Sequence, residues 1–142
     1  LGGSTGGTDN ALLRANGTGG ATAQASAVIV GDNGEISGYR GNAVTFSGTT
    51  AAIDATSVPS GSYVRFTNAS AVAATIASSV PADWCCSCAQ IGAGQVTFSV
   101  TGGTLHNFST HTKTAGQKAI VTLYCDSNAG SAPQIYLAGT TV

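Results

Sequence analysis

Four cysteines, two histidines and six carboxylates are the side chains of this 142-residue sequence best equipped for chemistry. Three of the cysteines fall in one run, Trp84-Cys85-Cys86-Ser87-Cys88, and the fourth is Cys125. Structural zinc usually draws its ligands from two Cys-x-x-Cys-like knuckles, and Cys125 alone cannot make the second. Cys85 and Cys88 do spell Cys-x-x-Cys, but no βαβ unit surrounds them, which argues against a thioredoxin-like role. On an extended strand Trp84, Cys86 and Cys88 point to one face and Cys85 to the other, while Cys125 shares the face of Val121 and Leu123. Cys86, Cys88 and Cys125 are therefore expected in a core, packed as small hydrophobes or joined by one disulfide from Cys125 to Cys86 or Cys88.

His106 and His111 flank a turn. A nucleophile, base and orienting group would need a Ser or Cys held beside one of them, and the sequence has no G-x-S-x-G elbow and no H-E-x-x-H helix. The carboxylates Asp9, Asp32, Glu35, Asp54, Asp83 and Asp126 stand mostly in turn contexts, where Asp bonds its own backbone. A glycosidase needs two of them roughly 5–10 Å apart across a cleft; Asp54 with Asp126 is a pair that the sequence leaves open without favouring it. No catalytic residue, metal or cofactor is expected, and the chain reads as a non-enzyme.

Composition narrows the partners. The five cationic residues, Arg14, Arg40, Arg65, Lys113 and Lys118, are scattered singly in a chain of net charge −1, so there is no basic stripe for a phosphate backbone and no nucleic-acid partner is expected. No apolar run approaches the roughly 20 residues that cross a bilayer, and no membrane insertion is expected. Val, Ile and Thr are plentiful, which favours ordered β-structure over disorder. The chain opens on Leu1 without a leader pattern and reads as a mature or truncated piece of something longer.

The elements that would position these residues are short strands. Residues 1–26 are dense in Gly and need partners to become ordered, since each Gly costs about 0.5–1 kcal/mol relative to Ala in regular structure. Ala27-Val28-Ile29-Val30, a Gly31-Asp32-Asn33-Gly34 turn and Glu35-Ile36-Ser37 predict a hairpin. Further strands are predicted at 43–46, 62–67, 73–77, 84–90, 95–100, 104–108, 118–125 and 134–138, with Val64 and Phe66 on a core face. Short strands with Gly-rich turns about every ten residues predict an all-β fold, an antiparallel β-sandwich of jelly-roll type. It would comprise residues 42–142, preceded by an extended β-segment over residues 1–41.

Two stretches carry a resemblance. TGGTDNALLRANGTGGATAQASAVIVGDNGEISG resembles the Gly-rich lead-in that precedes terminal domains in many tailed-phage tail fibres and related virion proteins. IGAGQVTFSVTGGTLHNFSTHTKTAGQKAIVTLYC is similar to the β-domain that commonly follows it, and the two occur in the family order. The chain departs from that pattern at Trp84 to Gln90, where the cysteine run replaces alternating apolar and polar residues. The resemblance implies a homotrimer in which the β-segments over residues 1–41 of three chains are intertwined, with Leu12, Leu13, Val28 and Val30 facing the three-fold axis. It also implies a virion location and other virion proteins as partners, with attachment to a host-surface glycan or protein. In that setting Asn107, His111 and Lys113 in the loop 107–113, together with Tyr136, are the candidate receptor contacts. Two other roles stay open at this point: a capsid decoration or head-fibre protein built on the same trimeric domain, and a secreted carbohydrate-binding module.

Overall fold

The computed structural model describes residues 11–16, 22–32, 36–37 and 41–142. The chain divides into two units, Leu1–Arg40 and Gly41–Val142, and all regular structure among the described residues is β.

In the first unit β1 (Ala11–Asn16) pairs antiparallel with β2 (Thr22–Val30), and β2 pairs with the short β3 (Ile36–Ser37). Val30 stands opposite Ile36 and Ile29 opposite Ser37, so the Gly31-Asp32 corner joins two antiparallel strands. The β1 ladder shifts register between Ala11 and Leu13, which bends the strand locally. Val28 and Val30 are half-buried. The side chains of Leu12 and Leu13 lie outside the described residues.

The second unit is two facing sheets around one core. Its strands are β4 (Ala43–Phe46), β5 (Thr50–Ile53), β6 (Ser62–Phe66), β7 (Val72–Ile76), β8 (Cys85–Gln90), β9 (Val96–Val100), β10 (Thr104–His106), β11 (Ile120–Ala129) and β12 (Ala132–Gly139). The larger sheet runs β10-β12-β11-β8-β6-β4 and the smaller β5-β7-β9. The all-β class is as expected, but the pairing is not that of an antiparallel jelly roll. β4, β6 and β8 form parallel ladders, as do β5, β7 and β9. The chain therefore alternates between sheets in three stacked coils, β4–β5, β6–β7 and β8–β9. Only β11, paired antiparallel with β8 and β12, reverses the direction.

Stacking in register places like on like. Val44, Val64 and Cys88 line up on one inward row, and Phe46, Phe66 and Gln90 on the next. Phe46 and Phe66 lie ring on ring at 5.7 Å, and Phe66 meets Phe98 of the opposite sheet edge to face at 6.1 Å, an arrangement that adds to simple area burial. In-register positions lie on the order of 20 residues apart, the short end of solenoid periods. The sequence repeats this at one corner: Ser57-Val58-Pro59 and Ser79-Val80-Pro81 make equivalent turns in successive coils, with both valines fully buried. Asp54 caps the first of these corners by accepting from the backbone N–H of Thr56 and Ser57, both at 2.8 Å. Those bonds to Ser57 and Thr56 hold its carboxyl below the usual carboxylate range. The cap is thus intact above that range and is lost as pH falls through the lowered value.

At the opposite corner the coils touch backbone to backbone. A Cβ on Gly92 would lie 2.0 Å from the Asn68 carbonyl oxygen, and one on Gly94 1.8 Å from that of Ser70. The Asn68 amide in turn donates to the Ser47 carbonyl at 2.7 Å. The core contains Trp84, 1% exposed, whose indole N–H donates to the Val58 carbonyl at 2.8 Å.

The third coil is closed by a polar link. Gln90, the last residue of the Phe46–Phe66 row, is buried, as is Thr114. The Thr114 hydroxyl donates to Gln90 Oε1 and accepts the Val96 N–H at 3.0 Å. Backbone bonds from Phe98 N to Thr112 O and from Thr114 N to Val96 O then lay residues 112–114 along β9. The Lys113 and Val142 backbones bond to each other next to this segment, so the smaller sheet continues through the loop to the C-terminus.

Two substitutions test this account by chemical denaturation. Gly94→Ala, which drives a Cβ into the Ser70 backbone, is expected to destabilise by about 1–3 kcal/mol or more. Gly48→Ala, whose Cβ would make only ordinary contact at 3.5 Å, is expected to change stability by about 0.5 kcal/mol or less. Thr114→Val, which keeps the shape but strands Gln90 Oε1 and the Val96 N–H, is expected to cost about 1–3 kcal/mol.

Candidate functional site

Alternation along the last three strands sorts their residues between core and solvent. Leu123, Cys125, Ile135 and Leu137 point inward and are buried, while Tyr124 and Tyr136 point outward. The ladders then bring outward residues side by side: His106 opposite Tyr136, Tyr136 opposite Tyr124, and Tyr124 opposite Cys85. Because neighbouring strands are about 4.8 Å apart, this row forms a shelf of rings on the outer face of the larger sheet.

The shelf is held in place. His106 and Tyr136 stack at 4.9 Å with 26° between their planes. His106 Nε2 lies 2.8 Å from Gln134 Oε1, and the Gln134 amide nitrogen donates to the Ala132 carbonyl at 3.1 Å. That orientation of the amide makes the imidazole Nε2–H the donor. Tyr124 donates its hydroxyl to Asp83 Oδ1 at 3.1 Å. This bond, with the negative charge of Asp83 beside it, raises the phenol above its ordinary value and keeps it neutral.

Above the shelf stands the loop that follows β10. Asn107 organises it: Oδ1 accepts the N–H of Ser109 at 2.9 Å and of His111 at 3.0 Å, while Nδ2 donates to the Leu137 carbonyl at 2.8 Å. Thr110 takes a left-handed conformation, φ 60°, and its N–H reaches the Asn107 carbonyl at 3.0 Å. His111 Nδ1 lies 3.2 Å from the Thr141 hydroxyl. Between these anchors Phe108 projects fully into solvent. It stands at the border of two depressions. One, of about 510 Å³, is bounded by His106, Asn107, Thr110, His111 and Tyr136; the other, of about 390 Å³, is bounded by Ser109, Leu137, Gly139 and Thr141 as well as Phe108 and Tyr136.

Three of the four expected receptor contacts, Asn107, His111 and Tyr136, thus meet at one place. Asn107 is there as the brace of the loop, its amide engaged with three backbone groups. Lys113 lies elsewhere: its strand-like segment pairs with Thr97 of β9, and it does not line the cleft. His106 and Phe108 are the members that alternation and turn signals do not single out, because their meeting with Tyr136 depends on a parallel pairing between β10 and β12, strands far apart in sequence. Among the described residues, no Asp, Glu, Lys or Arg lines either depression. The arrangement offers flat rings, hydroxyls and amides, which suits the binding of an uncharged molecule.

Cys86, Cys88 and Cys125 belong to the core rather than to this site, while half-buried Cys85 faces outward beside Tyr124. All four are free thiols. Cys86 and Cys88 point the same way from β8, their sulfurs 3.7 Å apart, and the Cys125 thiol donates to the Ser127 carbonyl at 3.4 Å. The disulfide from Cys125 to Cys86 or Cys88 is not formed. Leu123 is the cross-strand partner of Cys86 and Val121 that of Cys88. Cys125 is therefore diagonal to Cys86, with Cα atoms roughly 7–8 Å apart, beyond ordinary disulfide reach. The hydrogen bond with Cys86 and burial push the Cys88 thiol well above its ordinary value, and burial raises that of Cys125. No group of three His, Cys, Asp or Glu able to hold a metal ion occurs among the described residues.

The chain matches no protein-family model, no curated protein and no solved structure.

Thiol titration checks the assignment of the cysteines. In the native protein a thiol reagent at mildly alkaline pH is expected to modify the half-buried Cys85 first. Cys86, Cys88 and Cys125 are expected to react only as the protein unfolds, in step with loss of the native Trp84 fluorescence.

Proposed function

We propose that this chain is the terminal part of a phage tail fibre, a homotrimeric virion structural protein that contacts the host surface through its second unit. The observation that carries the reading is the braced loop 107–111, which holds an apolar ring, Phe108, in full exposure beside the His106–Tyr136 stack. Large exposed apolar side chains that are fixed and grouped mark interaction surfaces more often than scattered ones do. The order of the two units supports the same reading, with a Gly-rich β-segment preceding a domain of stacked coils, and so does the resemblance of both stretches to tail-fibre sequences. Half-buried Val28 and Val30 leave apolar surface for association with further copies, as a symmetric fibre requires. Other virion proteins are its expected structural partners, and the virion its location.

Light scattering on the full chain and antibody labelling of intact particles test the reading. A trimer mass with label at the fibre tips is the expected outcome. Label on the capsid would assign the chain to head decoration instead, and a monomer absent from particles would assign it to the secreted carbohydrate-binding modules. Replacing Leu12 and Leu13 together with Ser is expected to reduce the trimer to monomer while the fluorescence of buried Trp84 stays native. An unchanged trimer mass would remove these two residues from the interface.

A further inference from the structure

The chemistry of the two depressions around Phe108 specifies a class of ligand. Both share Phe108 and Tyr136, and both share His106, whose ring is stacked on Tyr136. Flat apolar rings attract the C–H face of a ring-shaped ligand. The remaining boundary combines apolar Leu105, Leu137 and Ala138 with groups that exchange neutral hydrogen bonds, such as the hydroxyls of Thr110 and Thr112 and the ring of His111 on one side and the hydroxyls of Ser109 and Thr141 on the other. With no Asp, Glu, Lys or Arg in the lining among the described residues, an ammonium group would lose its hydration without gaining a counter-ion, and a carboxylate or phosphate would find only the imidazoles of His106 and His111, which disfavours charged ligands. The first depression, about 510 Å³, falls in the usual size range of small-molecule sites.

The loop is also prepared in advance. Asn107, the residue before Phe108, bonds to the backbone of Ser109 and His111 beyond it and to Leu137 of the neighbouring strand. Ordering the Phe108 loop is therefore not left to the moment of binding, which is where preorganised sites gain affinity.

From this combination we infer that the cleft binds neutral pyranose sugars, with two consecutive residues of a glycan straddling Phe108, one in each depression. A pyranose has the required shape: one face of C–H groups for the rings and an edge of hydroxyls for the Thr, Ser and His groups. The inference deepens the attachment reading and rests on it for its biological sense, since it names the chemistry of the surface that would be contacted.

Titration of the isotope-labelled full chain with methyl hexopyranosides and with neutral disaccharides, followed by NMR, tests it. Saturable shifts are expected at residues 105–112 and 136–141, with a disaccharide bound about tenfold more tightly than its monosaccharide because it occupies both depressions. Phe108→Ala is expected to weaken binding about tenfold. Phe108 makes no core contact, so this variant keeps the native fold, checked by the dispersion of its own spectrum. Tyr136→Ala is expected to weaken both sugars. Tyr63→Ala, on the same sheet but outside the cleft, is expected to leave binding unchanged. The inference is overturned if no neutral sugar gives saturable shifts at concentrations on the order of 100 mM, if only acidic sugars bind, or if Phe108→Ala and Tyr136→Ala bind as well as the native chain. Absence of sugar binding in a chain located on fibre tips would remove the sugar site and leave the fibre reading intact. Sugar binding by a chain absent from particles would do the reverse.

Discussion

The hydroxyl of Thr114 sits where three parts of the second unit meet. It accepts from Val96 at the start of β9, donates to Gln90 at the end of β8, and belongs to the segment that carries the chain from the exposed loop toward β11. Gln90 occupies the position at which the stack of Phe46 and Phe66 would otherwise continue with a third apolar side chain. A buried amide must find partners or destabilise the fold, and the partners here are Thr114, outside the coils, and the carbonyls of Gly92 and Ala93 at the corner of the third coil. The polar residue thereby ends the stack and determines what packs next to it. Segment 112–114 is fixed along β9, and loop 107–111 is held between that segment and β10.

Below this link the architecture is repetitive, and above it the architecture changes. The three coils superimpose in parallel register and approach closely enough at Gly92 and Gly94 that no side chain fits. β11 then runs against the direction of β8, and β12 and β10 follow outward from it. The exposed rings belong to these outer strands. A stack of coils supplies the rigid base, and the outer strands with their loop supply the chemistry, so the candidate site rests on regular structure without being part of the repeat.

Much of this was legible from side-chain alternation. Val64 with Phe66, Val96 with Phe98, and Cys86 with Cys88 are buried as their spacing implies, because burial on one face of a strand leaves a period of two whatever the strand pairs with. That is also why the pairing itself was not legible: alternation identifies the faces of a strand and is silent about its neighbours. The parallel ladders could have been found from the Ser-Val-Pro corners at 57–59 and 79–81, an internal repeat that a strand-by-strand reading passes over. β5, Thr50-Ala51-Ala52-Ile53, has too little apolar bulk to stand out, and it is a strand because β7 lies beside it. At the site, Asn107, His111 and Tyr136 could be singled out as polar or aromatic residues near turns. His106 and Phe108 acquire their meaning only from the β10–β12 contact, and Lys113 loses its place because its segment is drawn into the smaller sheet.

The way Asn107 holds its loop has a bearing on how such a surface can diversify. All three principal bonds of its amide go to main-chain atoms, of Ser109, His111 and Leu137, and main-chain atoms are the same whatever side chains they carry. Phe108 and Ser109, both exposed, are consequently released from any duty to the fold. Substitutions there alter what the loop displays while its path stays constant. The molecule thus separates a main-chain scaffold from the side chains it displays, and the displayed side chains can be exchanged one codon at a time while the scaffold stays as it is.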